Sequence, residues 1–113
     1  MQIVRIYSGD DGESHFEDVT PEEMVAIAKR LGDGDIQLNA RQAPSFSDYH
    51  TAPRRQYVIH LLGAAEYETA DGTKRQLHPG DILVAEDLSG HGHIARGIGE
   101  GQRYILAVPL AEA

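Results

Sequence analysis

Seven short extended segments, separated by turns, fill the chain from residue 35 onward and constrain the fold more than any other feature. Several of them are rich in Val, Ile, Tyr or Thr, which favour strands. Turn sequences such as DG at 71–72 and HPGD at 78–81 lie between them, and GIGEG at 97–101 predicts a hairpin turn. Because no second helical period follows that could supply crossovers for a parallel sheet, antiparallel pairing is expected. The pattern predicts an all-β sandwich or barrel.

The N-terminal part of the chain has a different pattern. QIVRIY at 2–7 predicts a first strand, and the Gly, Asp and Ser content of SGDDGES at 8–14 predicts a loop. Thr20 and Glu23 then form a Thr-x-x-Glu capping box for one short α-helix, and Gly32 lies where that helix is expected to end. Apolar residues at helical spacing predict that one face packs against the core. These residues are Met24, Ile27, Ala28 and Leu31.

Length, charge and cysteine content limit the class of protein. With 113 residues we expect a single domain, with a strand and helix in residues 1–34 and a β-barrel core over about 40–110. A formal charge of -8 argues against nucleic acid or an anionic membrane as partner. The absence of cysteine excludes disulfides, thiolate metal sites and a Cys nucleophile. Since the first residues contain no long apolar run, we expect neither a signal peptide nor a membrane span, and a cytoplasmic location.

The stretch from Pro44 to Gly63 resembles the first motif of the cupin family, G-x5-H-x-H-x3,4-E-x6-G. His50 matches the first histidine of the motif, and Gly63 matches its final glycine. Ala52 replaces the second histidine, Gln56 replaces the glutamate, and Pro44 stands at the leading glycine. The spacing of the motif is therefore kept, although two of its ligand positions hold other residues.

The segment from Gly80 to Gly97 resembles the second cupin motif, G-x5-P-x-G-x2-H-x3-N. Gly80 opens it within a PGD turn, and Gly90 followed by His93 reproduces the G-x2-H part after a connection that is two residues longer. A register without this insertion selects His91 instead. His93 is preferred because it keeps the preceding glycine, while Gly97 stands at the asparagine of the motif.

Together the two matches cover about residues 40–110, and the chain resembles small single-domain bacterial cupins. The resemblance implies an all-β double-stranded β-helix, or jelly roll, with a site for a small molecule inside the barrel. It also implies a homodimer, which agrees with the free sheet edges that a small jelly roll has to cover. It implies no particular reaction, because one fold hosts many functions.

Strand alternation adds a candidate residue that the motif lacks. If Gln56 points into the barrel like the matching cupin position, then Val58, His60 and Leu62 point inward too. The converging set is then His50, Gln56, His60 and His93. Three imidazoles and an amide oxygen suit a divalent ion such as Fe, Ni, Zn or Mn. The alternative is that His60 is a hydrogen-bonded core residue and that no metal binds, since an amide is a weak replacement for a carboxylate.

Glu86 and Arg54 are candidate catalytic residues outside the metal set. Glu86 has the strand parity of Val84, which predicts a position at the barrel mouth near His93, where burial would raise its pKa and suit it to acid or base work. Arg54 lies at the turn before a strand and could bind a substrate carboxylate in bidentate fashion. For both, the alternative is a charged side chain that faces solvent. The other histidines are expected in a loop, a turn or at the rim: His15, His78 and His91.

Three kinds of function remain open at this point, and a purely structural homodimer is the least favoured because inward histidines would then need another explanation. The first is an enzyme of small-molecule metabolism that acts on a carboxylate-bearing or polar aromatic substrate. With a metal it would carry out dioxygenase, isomerase or lyase chemistry, and without one a histidine would act as general base. The second is a non-catalytic module that binds or senses a small ligand in an apolar pocket with a few polar groups.

Overall fold

Strands make up most of the fold, and a computed structural model describes residues 1–112 of the chain. One mixed sheet contains the eight strands of these residues and curls into a half-barrel beside one short helix. The elements are β1 (Ile3–Ser8), β2 (Ser14–Asp18), α1 (Pro21–Ala28), β3 (Gln37–His50), β4 (Gln56–Leu62), β5 (Ala64–Glu68), β6 (Lys74–Leu77), β7 (Ile82–Glu86) and β8 (His93–Pro109). The predicted all-β barrel with one short N-terminal helix is confirmed.

The sheet is organised around the long strand β8. One side of β8 pairs with β3 along most of its length, whereas the other side pairs first with β5 and then with β4. The remaining strands extend the sheet in the order β2-β1-β7-β4-β8-β5-β6. Side chains from β3, β4, β5, β7 and β8 can therefore face one pocket, because the curl turns one face of the sheet inward.

The GIGEG stretch at 97–101 lies inside β8, so the predicted hairpin turn is wrong. Gly99 and Gly101 have positive φ angles of 83° and 99°, and the pairing with β3 shifts register between Ala43 and Ser45. Glycine adopts such angles without a steric penalty and is common at bulges. The glycines therefore form an irregularity within one strand, and the chain continues in the same direction instead of reversing.

β1 and β7 form a parallel pair, contrary to the expectation of purely antiparallel pairing. A parallel pair needs a long connection, which is often a single helix. Here the connection runs through β2, α1 and the strands β3 to β6. A helical crossover is not required for a parallel pair, because a barrel can return to its first strand after a circuit of other strands.

The loop predicted at 8–14 ends in a strand, since Ser14 and His15, which was also expected in a loop, belong to β2. This strand pairs antiparallel with β1 through a short turn, with Ser8 opposite Ser14 and Val4 opposite Asp18. The sequence SHFED holds a single large apolar residue, so its strand signal is weak. Hydrogen bonding to the edge of β1 therefore decides its conformation.

Helix α1 begins as predicted but ends earlier. The Thr20 hydroxyl accepts a hydrogen bond from the Glu23 N–H, and the Glu23 carboxylate accepts one from the Thr20 N–H. The helix ends after eight residues, and Leu31 forms a β-bridge with Leu110. A Cβ at Gly32 would lie 2.5 Å from the carbonyl carbon of Leu110, so this glycine permits close packing rather than ending the helix. Within residues 1–112 no helix is long and apolar enough to cross a membrane.

Two groups of buried apolar side chains lie on opposite faces of the sheet. The group inside the curl includes Val58, Leu83 and Ala85, whereas the outer group joins Met24 of α1 to Val84 and others. The predicted contact of the helix with the core is therefore confirmed, although Leu31 is 65% exposed. Because residues of β7 alternate between the two groups, odd-numbered positions of this strand face the interior.

Candidate functional site

A pocket of about 520 Å³ lies inside the curl of the sheet. Its walls come from β3, β4, β5, β7 and β8 and from the segment 51–54. Apolar side chains of the inner core form one part of the lining, and histidines and arginines form the rest. Of the candidate site residues, those that line the pocket are His50, Arg54, Gln56 and His93, whereas His60 and Glu86 do not.

His93 is held in the pocket wall by a buried carboxylate. Its Nδ1 donates a hydrogen bond to Oδ2 of Asp87 over 2.6 Å, and the Ser14 hydroxyl donates to the same oxygen over 2.7 Å. Asp87 is fully buried and His93 is 4% exposed. Because Nδ1 carries the proton that the carboxylate accepts, Nε2 of the neutral ring keeps its lone pair. His93 is thus oriented as a potential base.

His50 lies beside His93 across the β3–β8 pairing. The two residues are register partners, and their ring centroids are 4.7 Å apart. Nδ1 of His50 donates to the carbonyl oxygen of Asp48 over 2.8 Å, so its Nε2 also keeps a lone pair in the neutral ring. The site therefore contains two adjacent imidazoles, each with one nitrogen held and one nitrogen available.

Gly92 makes this close approach of the two histidine segments possible. Its φ angle is +83°, and a Cβ at this position would overlap the backbone carbonyl of His50. Glycine is the residue that satisfies both requirements, since it tolerates positive φ and carries no side chain. Close backbone packing against β3 therefore requires glycine at the position before His93.

His60 is a core residue, and its ring nitrogens are not available as metal ligands. Its Nδ1 donates to the carbonyl oxygen of Asp81 over 3.0 Å, and its Nε2 accepts from the Tyr67 hydroxyl over 2.9 Å. Burial lowers the pKa of His60, so the ring is held neutral. The expected inward direction of Leu62 is also wrong, because a register shift after His60 leaves Leu62 49% exposed.

Gln56 and Arg54 form one unit at the pocket wall. Nε of Arg54 donates to Oε1 of Gln56 over 2.8 Å, and Nη2 donates to the carbonyl oxygen of Asp35 over 2.8 Å. The amide oxygen proposed as a metal ligand is therefore engaged by a cation. Arg54 reaches the pocket with its orientation fixed on two sides, which suits it to contact with a bound molecule.

Glu86 lies on the other face of β7, so its expected role near His93 is wrong. Its carboxylate accepts hydrogen bonds from Nε of Arg5, over 2.7 Å, and from Arg55. Burial raises the pKa of Glu86, but the hydrogen bonds and charges of the two arginines outweigh it and lower the pKa below its usual value. Val84 lies on the same face of β7 as Glu86 and packs toward the helix, so side chains on this face point away from the pocket.

The four predicted metal ligands do not form one metal site. Both ring nitrogens of His60 are engaged, and the oxygen of Gln56 accepts from Arg54. Within the described residues no three or more His, Asp or Glu side chains are grouped to hold an ion. Zinc sites generally use at least three protein ligands, whereas His50 and His93 supply two. The donor set present therefore does not fit the proposed Fe, Ni, Zn or Mn ion.

Asp87, which holds His93 in place, is not among the residues that the sequence predicts for the site. It follows β7 with the same parity as Leu83 and Ala85, which line the pocket, so correct parity would have identified it. The structure also separates the two second-motif candidates. His93 lies in the pocket wall, whereas His91 is exposed, stacks on a tyrosine and contacts Glu13.

The comparisons with known proteins do not assign a family to the chain. No family model and no curated protein matches the chain. The chain is similar in structure to protein NMB1881 from Neisseria meningitidis, whose crystal structure has a TM-score of 0.49 and 17% sequence identity. The match covers 84% of this chain and 100% of that chain.

Proposed function

We propose that this protein is a small cupin-like enzyme that moves a proton on a small molecule bound in its pocket. The observation that carries the proposal is the hydrogen bond between Asp87 and His93, which holds a basic nitrogen in the wall of a pocket of about 520 Å³. Catalytic histidines are commonly oriented by a carboxylate in this way. The pocket volume suits a metabolite-sized molecule.

In this mechanism, Nε2 of His93 removes a proton from the bound molecule. Asp87 accepts the hydrogen bond from Nδ1 and stabilises the imidazolium that forms. The same Nε2 then returns this proton to a neighbouring atom of the molecule, while the Nε2 lone pair of His50, whose ring centroid lies 4.7 Å from that of His93, is placed to accept a hydrogen bond from the molecule. Transfer of a proton from one atom of the molecule to another is an isomerisation, and side chains of the pocket can carry out this step themselves.

Solvent isotope exchange tests this proposal without knowledge of the natural substrate. Small 2-oxo acids, 2-hydroxy acids and ketoses are incubated with the protein in D₂O, and loss of their C–H signals is followed by proton NMR. The wild type is expected to accelerate exchange for at least one class, and His93→Gln to reduce the rate about 100-fold or more. His78→Gln is the matched control, since His78 lies exposed in a turn outside the pocket. Equal rates for wild type and His93→Gln with every compound would contradict the proposal.

The alternative function is binding or sensing of a small ligand without catalysis. The fixed orientation of Arg54 by Gln56 and Asp35 favours it, because a rigid guanidinium contributes to recognition whether or not a reaction follows. A compound that binds equally to wild type and His93→Gln, and never exchanges protons, would support this alternative over the enzyme.

Membership of the cupin family is also a proposal. His50 and His93, which match histidines of the two cupin motifs, lie side by side in the wall of the pocket, where His93 is buried and His50 is exposed. The motif match by itself does not place the two histidines together, because 42 residues lie between them and their strands meet only in the folded sheet. An experimental structure with two sheets of jelly-roll connectivity would support the assignment.

We further propose that the chain forms a homodimer through the outer face of the sheet near the end of β4. Leu62 and Tyr104 are register partners and are 49% and 38% exposed, and Leu38 lies nearby on β3 with 64% exposure. Adjacent exposed apolar side chains of this kind are typical of interfaces. Sedimentation at micromolar concentration is expected to give twice the chain mass of 12.4 kDa, and Leu62→Glu to give the monomer. A monomeric wild type would contradict this proposal.

A further inference from the structure

Arg103 is a buried cation without a partner in the part of the chain that the structure describes. It is 7% exposed, lines the pocket, and its Nε has no hydrogen-bond acceptor. No ion pair is formed between its guanidinium and a carboxylate of residues 1–112. Burial of an unpaired charge is costly, so such residues are normally paired or bind a ligand.

Other arginines of the fold contrast with Arg103. Arg55 and Arg5 both pair with Glu86, and Arg96, which also lines the pocket, pairs with Glu66 and Glu68. The fold therefore supplies carboxylates to arginines at neighbouring positions. The isolation of Arg103 is a property of its place in the pocket rather than a shortage of acids, since the chain has 18 acidic residues.

The lining of the pocket has the opposite charge to the protein as a whole. The chain carries a formal charge of -8, yet Arg41, Arg54, Arg96 and Arg103 line the pocket and no Asp or Glu does. Tyr67 is also unable to neutralise Arg103, because burial raises the pKa of its hydroxyl to about 12. Arg96 pairs with Glu66 and Glu68, whereas Arg41, Arg54 and Arg103 have no carboxylate partner within residues 1–112, and guanidinium groups without such a partner attract an anion.

We infer that Arg103 binds an oxyanion group, a carboxylate or a phosphate, of the small molecule that occupies the pocket. The planar fork of the guanidinium matches such a group with two parallel hydrogen bonds. Arg41 is the register partner of Arg103 across the β3–β8 pairing and also lines the pocket, so it supplies a second cation beside Arg103. The inference rests on the proposed function for the location of the ligand, and it defines the chemical class of that ligand.

Thermal unfolding and calorimetric titration test the inference with acetate, malonate and inorganic phosphate as probes and malonamide as the neutral control. The wild type is expected to gain stability with at least one anion and none with malonamide, and the preferred anion separates carboxylate from phosphate. Arg103→Met is expected to weaken anion binding about tenfold or more. Without ligand, this variant should unfold at the same or a higher temperature, since it removes an unpaired buried charge.

Arg75→Met is the matched control, because it removes the same charge from a surface pair with Asp18 outside the pocket. It should leave anion binding within about twofold of the wild type. If Arg103→Met fails to fold, Arg103→Lys keeps the charge without the fork and should still weaken binding. No anion response in the wild type, or an unchanged response in the Arg103 variants, would overturn the inference. Anion binding without proton exchange would instead reject the proposed enzyme and leave the role of Arg103 standing.

Discussion

Nδ1 of His93 lies 2.6 Å from Oδ2 of Asp87, and this pair joins the wall of the pocket to the buried end of β7. Ser14 of β2 donates to the same carboxylate oxygen, so three separate segments meet at one buried charge. The carboxylate serves the fold and the histidine together, because it satisfies two donors while it fixes the orientation of the imidazole.

Asp87→Asn should destabilise the protein and reduce proton exchange together. The amide presents one acceptor oxygen and no charge to the two donors, Ser14 and His93, and loss of charge-assisted hydrogen bonds costs about 1.5–3 kcal/mol. Urea unfolding at neutral pH measures the change in free energy. Asp10→Asn is the control, since Asp10 is exposed, and it should have a negligible effect. Equal stability of the two variants would show that the buried carboxylate contributes little.

Glu86→Gln should reduce stability at pH 7 by about 2–4 kcal/mol, because Arg5 and Arg55 would lose their buried anionic partner. The pKa of Glu86 is lower in the folded state than its ordinary value, so the unfolded state binds the proton more readily. The stabilisation is therefore complete above the unfolded pKa and is lost as the pH falls through the folded pKa. The difference between wild type and variant should shrink in acid, as measured by urea unfolding from pH 7 to 3. A constant difference would argue that Glu86 acts through packing.

The ring of His60 should remain neutral below the pH at which an ordinary histidine gains its proton. Burial lowers its pKa, so the unfolded state takes up this proton first and stability falls as the pH drops below about 6.5. Nitrogen-15 NMR of the imidazoles should show His60 with its proton on Nδ1, as the hydrogen bond to Asp81 requires. Exposed His78 provides an internal control in the same spectra. A charged His60 ring at pH 6.5 would contradict the prediction.

Gly92→Ala should destabilise the protein far more than Gly72→Ala. Both glycines have positive φ angles, of 83° and 86°, so both variants incur a backbone cost of about 1–2 kcal/mol. A Cβ at residue 72 meets no atom within 4 Å, whereas one at residue 92 overlaps the carbonyl of His50. We expect Gly92→Ala to cost at least about 2 kcal/mol more, with separation of His50 from His93. Equal denaturation midpoints would mean that the two segments do not pack as closely as described.

Local rules predicted several elements of the fold from the sequence. The capping box of Thr20 and Glu23 and the inner placement of Val58 on β4 follow from contacts within a few residues, or from strand alternation. The same rules failed at GIGEG, where glycines that favour a turn are carried within β8 by its pairing with β3. They also failed beyond His60, where a register shift ends the alternation.

The sequence by itself determined the all-β class, the short capped helix and the spacing that marks His50 and His93 as a pair. Only the tertiary structure decided that Glu86 faces the arginines of the outer side, that Asp87 faces His93, and that Arg103 stays unpaired in the pocket. The physical reason is that alternation divides a strand into two faces without stating which face is enclosed. That choice depends on the strands and the helix that pack on each side, which are distant in the chain.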